Sequence, residues 1–163
     1  MKPAAAIALP PRPTWSRIAL GWLGSLLAIV LVAGLADASQ RILVLGSFGA
    51  SCVLVFGFPD LPFSQPRHVL LGHVLSSAIG LAALTLFGPG PLPMALATAT
   101  AVAAMMALRC VHPPAGSNPV IVFLTQPGWS FLLWPTALGA LLLLAVALVF
   151  NNLGRTRRYP QYW

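Results

Sequence analysis

The sequence predicts an all-α integral membrane protein, a polytopic helical bundle of about six segments. Three observations carry this prediction. Charged residues make up 7% of the 163 and hydrophobic residues 58%, whereas a soluble domain carries about 25% charged residues. That is too little charge to cover a water-facing surface. The apolar residues fall in runs, separated by proline, glycine and arginine. The net charge of +7 sits mainly outside those runs. Lys2, Arg12 and Arg17 precede the first run, and Arg155, Arg157 and Arg158 follow the last. Basic residues flanking spans stay in the cytoplasm, so both termini are expected inside, with the bacterial inner membrane as the expected location. The expected organisation is a cytoplasmic tail at 1–17, a transmembrane domain at 18–150 and a basic cytoplasmic tail at 151–163.

A helix needs ~20 residues to cross the ~30 Å hydrocarbon core. Ile18–Ala36 meets that length. Ala36-Asp37-Ala38 resembles a signal-peptidase site, but the run before it is too long for a signal segment and more spans follow. A retained helix is expected. Asp37–Arg41 is a short polar turn. Ile42–Phe58 is apolar but carries Gly46, Ser47, Gly49 and Ser51. Pro59-Asp60-Leu61-Pro62 ends it, because proline cannot continue a helix and restricts the residue before it. Val69–Phe87 follows, closed by Gly88-Pro89-Gly90-Pro91, and then Leu92–Leu108. Val111–Leu124 is short and broken by prolines. Phe131–Phe150 closes the set before Asn151-Asn152.

The two basic ends constrain the short segment. Four earlier runs starting inside leave Arg109 inside, and the last run must also finish inside, so it starts outside. Residues 110–128 are therefore expected to cross, which makes six crossings, with Ile42–Phe58 and Val111–Leu124 short or broken. A re-entrant 110–128 would instead leave five spans and put the basic ends on opposite sides. The short segments resemble each other: Gly49-Ala50-Ser51-Cys52-Val53-Leu54-Val55-Phe56 aligns with Gly116-Ser117-Asn118-Pro119-Val120-Ile121-Val122-Phe123. The same register pairs Gly72 with Gly139 and roughly pairs Arg41 with Arg109. It admits two three-segment halves, 18–87 and 92–150, inverted relative to one another. Inverted repeats with discontinuous helices are a transporter arrangement.

The interruption itself, Arg109 to Pro119, is the candidate site. His112 precedes Pro113 and should be extended. Pro113 and Pro114 supply no backbone donors. Asn118-Pro119 reads as an N-cap and first helical residue, opening a short helix to about Leu124. Its free amides would point towards Gly116, Ser117 and Asn118, and a helix N-terminus that a glycine leaves open favours an anion. Irregular backbone at membrane depth must be buried in protein or line a water-filled cavity. Ser47, Gly49 and Ser51 form the counterpart in the other short segment. The chain has two acids, Asp37 and Asp60, both in presumed loops. A cation pathway usually places carboxylates in the membrane. Arg109, His112, amides and hydroxyls instead favour a small anion or a neutral polar solute.

Architectural readings stand beside these. Pro113-Pro114 can be a packing kink, His112 a cap on a neighbouring helix and Arg109 an interface anchor. Gly72, Gly80 and Gly139 fit helix contacts, and Trp15, Trp22, Trp129, Trp134 and Tyr159 fit an interface belt. Cys52 and Cys110 read as buried small hydrophobes. No metal or other cofactor is expected: His68 and His73, five apart, do not share a helix face. Nucleic acid is excluded as a partner because no basic face is interleaved with polar surface. An enzyme is not expected, since no carboxylate pair, nucleophile elbow or phosphate loop is present and no acid is placed to orient a Ser117/His112 pair. The expected partners are a small anion, the lipid bilayer and further copies of the chain, as 163 residues make a thin bundle around any pore.

His112-Pro113-Pro114-Ala115-Gly116 resembles the naming motif of the HPP family of integral membrane proteins. The resemblance extends to Gly46-Ser47-Phe48-Gly49-Ala50-Ser51 and to Pro62-Phe63-Ser64-Gln65-Pro66-Arg67-His68 leading to Gly72-His73. It continues to Phe150-Asn151-Asn152-Leu153 with Arg157-Arg158-Tyr159-Pro160, and covers roughly residues 42–160. The family often has Asn where His68 stands, and small residues or Thr near Asn118, which leaves the ligand open. The family is described with four transmembrane helices; the count over this region is four longer runs plus the short one, with an extra helix in front. Some members are implicated in nitrite transport, so the resemblance implies passage of nitrite or a similar small anion. The rival reading is a non-transporting membrane anchor or sensor acting with a soluble partner through the basic tail and loop 59–68.

Overall fold

The structure, a computed structural model, describes residues 12–39, 45–153 and 157–163. Lys2, Arg41, Arg155 and the start of the run Ile42–Phe58 lie outside the described residues. The described residues form six α-helices and no strand: α1 Trp15–Ser39, α2 Gly46–Cys52, α3 Pro66–Phe87, α4 Pro91–Ala107, α5 Asn118–Thr125 and α6 Leu138–Phe150. Three stretches are long and apolar enough to cross a membrane: Trp15–Ala38, Pro66–Phe87 and Trp129–Phe150. α1 runs through Ala36-Asp37-Ala38 without a break.

Prolines and glycines set the ends. Pro66 and Pro91 open α3 and α4, where a missing N–H is harmless and the ring fixes a helical φ. Gly88 ends α3 at φ +72°, a conformation glycine reaches without strain. α2 passes into a wider turn at Val53–Gly57 and stops at Phe58, before Pro59. α4 ends in a Schellman motif: the Cys110 N–H donates to Met105 O at 2.9 Å and the Arg109 N–H to Met106 O at 3.2 Å. Arg109 therefore sits at φ +54°, where glycine is the usual occupant.

The last segment departs from the single helix predicted at Phe131–Phe150. It opens with a 3-10 turn at Trp129–Leu132 and a widened turn at Leu133–Ala137, with Trp134 extended (φ −138°, ψ 101°). The cause is Pro135, which restricts the residue before it and donates no hydrogen bond.

One end of the bundle gathers most of the basic groups. Arg12 and Arg17 line a pocket with Gly57–Leu61, and Arg67 Nη2 donates to Leu108 O at 3.3 Å. Asn151 Nδ2 reaches Val55 O at 2.9 Å, and the Tyr159 hydroxyl reaches Ser64 O at 2.8 Å. So α1 and α3 start at this end, while α2, α4 and α6 finish there. The interrupted stretch lies along α3 in α3's own direction, His112 against Gly72 and Pro119 against Gly80. Residues 110–122 therefore lead away from the basic end. Successive segments alternate in direction, so the halves 18–87 and 92–150 are antiparallel, as the inverted arrangement expects.

Close packing fixes α3 against the interrupted stretch. A Cβ on Gly72 would stand 2.8 Å from His112 Cβ, and one on Gly80 would stand 2.9 Å from Pro119 Cα. Real Cβ atoms do not come that close, so glycine is required at both positions for 110–122 to lie on α3.

Candidate functional site

Buried polar side chains from α2, α3, α5 and α6's broken start meet in the bundle interior. Ser51, His73, Ser76, Ser77, His112, Asn118 and Thr136 are all fully buried. An unpaired polar group at that depth is costly, and these are joined. Ser51 Oγ lies 2.8 Å from His112 Nε2 and 3.0 Å from His73 Nε2. His112 Nδ1 lies 2.7 Å from Phe63 O. Asn118 Nδ2 lies 3.0 Å from His73 Nδ1, 2.9 Å from Ser77 Oγ and 3.2 Å from His73 O. Ser77 Oγ is 3.2 Å from Thr136 Oγ1.

The partners dictate where the protons lie. A carbonyl only accepts, so His112 carries its proton on Nδ1 and donates to Phe63 O. Its Nε2 then accepts from the Ser51 hydroxyl. The His73 carbonyl beside Asn118 fixes that end of the amide as the NH2, so His73 Nδ1 accepts from it. The His73 proton is then on Nε2 and donates to Ser51 Oγ. The result is a one-way chain, from the Asn118 amide through His73, Ser51 and His112 to Phe63 O. Ser51 Oγ also lies 3.1 Å from Ser47 O, the ordinary bond of a helical serine; the shorter approach to His112 Nε2 carries the chain.

Packing holds the rings. His73 and His112 lie with centroids 5.0 Å apart at 62°, and Phe48 stands edge-on to His73 at 5.2 Å. His112 is extended (φ −129°, ψ 100°), as Pro113 requires. Ser76 Oγ donates to Ala115 O at 2.6 Å, tying the proline turn to α3. Below the cluster, His68 Nδ1 meets Val111 O at 2.9 Å and His68 Nε2 meets the Tyr162 hydroxyl at 3.2 Å. Burial raises the Tyr159 phenol above its ordinary pKa, so it stays a donor to Ser64 O.

Of the residues the sequence nominates, the cluster contains Ser51, His112 and Asn118. Ser47 is buried one turn from Ser51, and its hydroxyl has no partner. Pro114 is buried, Gly116 half-buried, and Gly49, Arg109, Pro113 and Ser117 are exposed. A Cβ on Gly116 would meet nothing within 4 Å. The Ser117 hydroxyl turns back to Pro114 O at 2.8 Å.

Two expectations are corrected. Asn118 is not an N-cap: it is helical (φ −62°, ψ −40°), and its side chain reaches across to α3. A 3-10 turn, Pro113–Ser117, runs straight into α5 and takes the capping place. The amides are also not all free, because the Asn118 N–H donates to Ala115 O. Tertiary partners on α3 outcompete local capping for the Asn118 side chain.

The sequence reading missed His73, Ser77 and Thr136. The signal was present: His73, Ser76, Ser77 and Gly80 recur at helical spacing, a small polar stripe on one face of α3. Among the described residues, no group of three His, Cys, Asp or Glu side chains is placed to hold a metal ion. Asp37 and Asp60 are exposed, and Asp60 Oδ1 accepts from Gln161 Nε2 at 3.2 Å.

A family model described as "HPP, transmembrane region" matches residues 10–160. A transmembrane protein of Dictyostelium discoideum is 34% identical over 166 aligned residues, covering 94% of this chain and 53% of that protein. A second transmembrane protein of the same organism is 35% identical over 167 residues, covering 94% and 58%. The chain thus spans a little over half the length of these curated relatives. No solved structure matches it.

Proposed function

The chain belongs to the HPP transmembrane family, and from that premise we propose that it passes a small anion across the membrane, with nitrite as the leading candidate. The observation that carries this reading is the buried, acid-free polar chain of Ser51, His73, His112 and Asn118 where broken segments meet. Discontinuous helices meeting at a polar centre serve solute passage in inverted-repeat proteins. Without a carboxylate the centre does not attract cations. The exposed guanidinium of Arg109 stands at the basic end, where it draws anions to the mouth. The bundle sits in a bacterial inner membrane with its basic end cytoplasmic, and assembles with further copies of itself.

Ser51 and His112 also have the spacing of a nucleophile and base. Ser51 is fully buried, and a backbone carbonyl rather than an acid holds the far ring nitrogen. We therefore keep passage over catalysis.

The test is flux into proteoliposomes holding the purified chain, with nitrite, nitrate, formate and chloride supplied separately. Protein-dependent entry that is lost in His112→Ala is the expected result. No entry of any anion with folded protein would overturn the reading. A membrane anchor or sensor would then take its place, favoured by the greater length of the relatives. The surfaces such a module would offer are in part spent on each other, since the tail at 157–163 packs on loop 59–68.

A further inference from the structure

The polar chain is specific about which charge state it can receive. His112 N–H is committed to Phe63 O, His73 N–H to Ser51, and the Asn118 amide protons to His73 and Ser77. Among the described residues, two buried polar atoms around this chain have no partner: Asn118 Oδ1 and Ser47 Oγ. Asn118 is fully buried and Ser47 is 3% exposed. The first can only accept a hydrogen bond; the second can donate and accept. A bare anion brings acceptors alone, so it would face Asn118 Oδ1 with nothing to offer it. A protonated weak acid brings the O–H that Asn118 Oδ1 lacks, and its oxygens can accept from a hydroxyl of the kind Ser47 carries.

Among the described residues, the surroundings supply no fixed charge either. The titratable side chains packed nearby are His68 on α3, Cys110 ahead of His112, and Cys52, which turns to Ser25 of α1. The guanidiniums of Arg67 and Arg109 are exposed at the basic end. A charge in this interior would lose its hydration without gaining a partner ion.

We propose that the cargo occupies this core as a neutral hydrogen-bond donor, a small weak acid carrying its own proton. The proposal rests on the passage reading above. The anion collects one proton from water on one side, crosses as the acid, and releases that proton on the other side. One proton accompanies each anion, no net charge moves, and no bond forms to the protein.

The experiment uses proteoliposomes of the full chain with formate and nitrite as probes, corrected for leak through protein-free vesicles. One set carries a pH gradient without a membrane potential, the other a potassium diffusion potential without a pH gradient. Uptake should follow the pH gradient, approaching about tenfold accumulation per pH unit, as one proton per anion requires. It should ignore the potential. Uptake driven by the potential alone would overturn the proposal and leave the passage reading standing; no uptake under either condition would overturn both. Asn118→Leu should cut gradient-driven uptake at least about tenfold, because it removes the acceptor for cargo together with the amide bonds to His73 and Ser77. A second readout is independent of flux. Nitrogen-15 spectra of labelled histidines should show His112 protonated at Nδ1 and His73 at Nε2, both neutral at pH 7. A cationic ring at either position frees an N–H for an anion and would overturn the proposal by itself.

Discussion

α2 and α5 occupy matching places in the two antiparallel halves, yet they are broken at opposite ends. α2 begins from an extended Leu45 and loses regularity after Cys52, where the turn widens before Phe58. α5 is irregular before it starts, through extended His112 and a 3-10 turn, and ends cleanly at Thr125. The register that aligns them puts Ser51 opposite Asn118, Val55 opposite Val122 and Phe56 opposite Phe123. Each pair has equal burial: 0% for the first two and 6% for the phenylalanines. Ser51 and Asn118 take the two ring nitrogens of the same residue, His73. The comparison teaches that equivalent positions can share a target while differing in chemistry: one half offers a hydroxyl that relays, the other an amide that terminates.

The sharpest break is at the shared target. His73→Leu removes the partner of both equivalent residues at once. Flux should fall about tenfold or more, since Ser51 and Asn118 each lose one buried hydrogen bond at about 0.5–1.5 kcal/mol, while His112, Ser77 and the residue-73 carbonyl still hold them. The proteoliposome assay checks this, and near-wild-type flux would show that the two segments work separately. Next come the single partners. Ser51→Ala and Asn118→Ala should each cost about 1–3 kcal/mol of stability, read as the midpoint of thermal unfolding in detergent. Similar losses support equivalence; a loss confined to one breaks it.

Smaller effects sharpen the packing side of the comparison. A Cβ on Gly80 meets the backbone of Pro119, whereas one on Gly24 meets the Phe56 ring at 2.6 Å. Backbone cannot step aside as a ring can, so Gly80→Ala should destabilise by about 1–3 kcal/mol and Gly24→Ala by less. Melting of the two variants side by side decides the order. The smallest effect belongs to Arg109. Arg109→Gly should keep or raise stability by up to about 1 kcal/mol, because glycine suits its positive φ. It should still lower anion uptake at low salt, where an exposed guanidinium acts at longest range. Unchanged uptake would make Arg109 a helix end and no more.

What the sequence disclosed follows the range of the interactions. Helix ends at Pro59 and Gly88, extended His112 and the short α5 are local consequences of proline and glycine, and all were legible. The direction of 110–122 along α3, away from the basic end, agrees with the charge placement. His73 was not legible as a site residue: its partners lie 22 and 45 positions away, and Ser51 meets His112 across 61. The five-residue spacing of His73 from His68 concerns only its own helix. Asn118 was misread because its local preference for capping yielded to the α3 groups, which no neighbouring residue announces. Thr136 was hidden for a related reason, since it turns inward only because Pro135 breaks the start of the last span.

The tail bears on when the site is finished. Tyr159 is fully buried, its hydroxyl holds Ser64 O, and the Gln161 N–H donates to Gln65 Oε1 across 96 positions. Loop 59–68 also carries Phe63, whose carbonyl orients His112. Ribosomes add roughly 5–20 residues per second, so the tail emerges some seconds, roughly 5 to 20, after the loop it clasps. The polar interior is therefore open from beneath until the tail emerges, and the fastening at Ser64 and Gln65 is set only then.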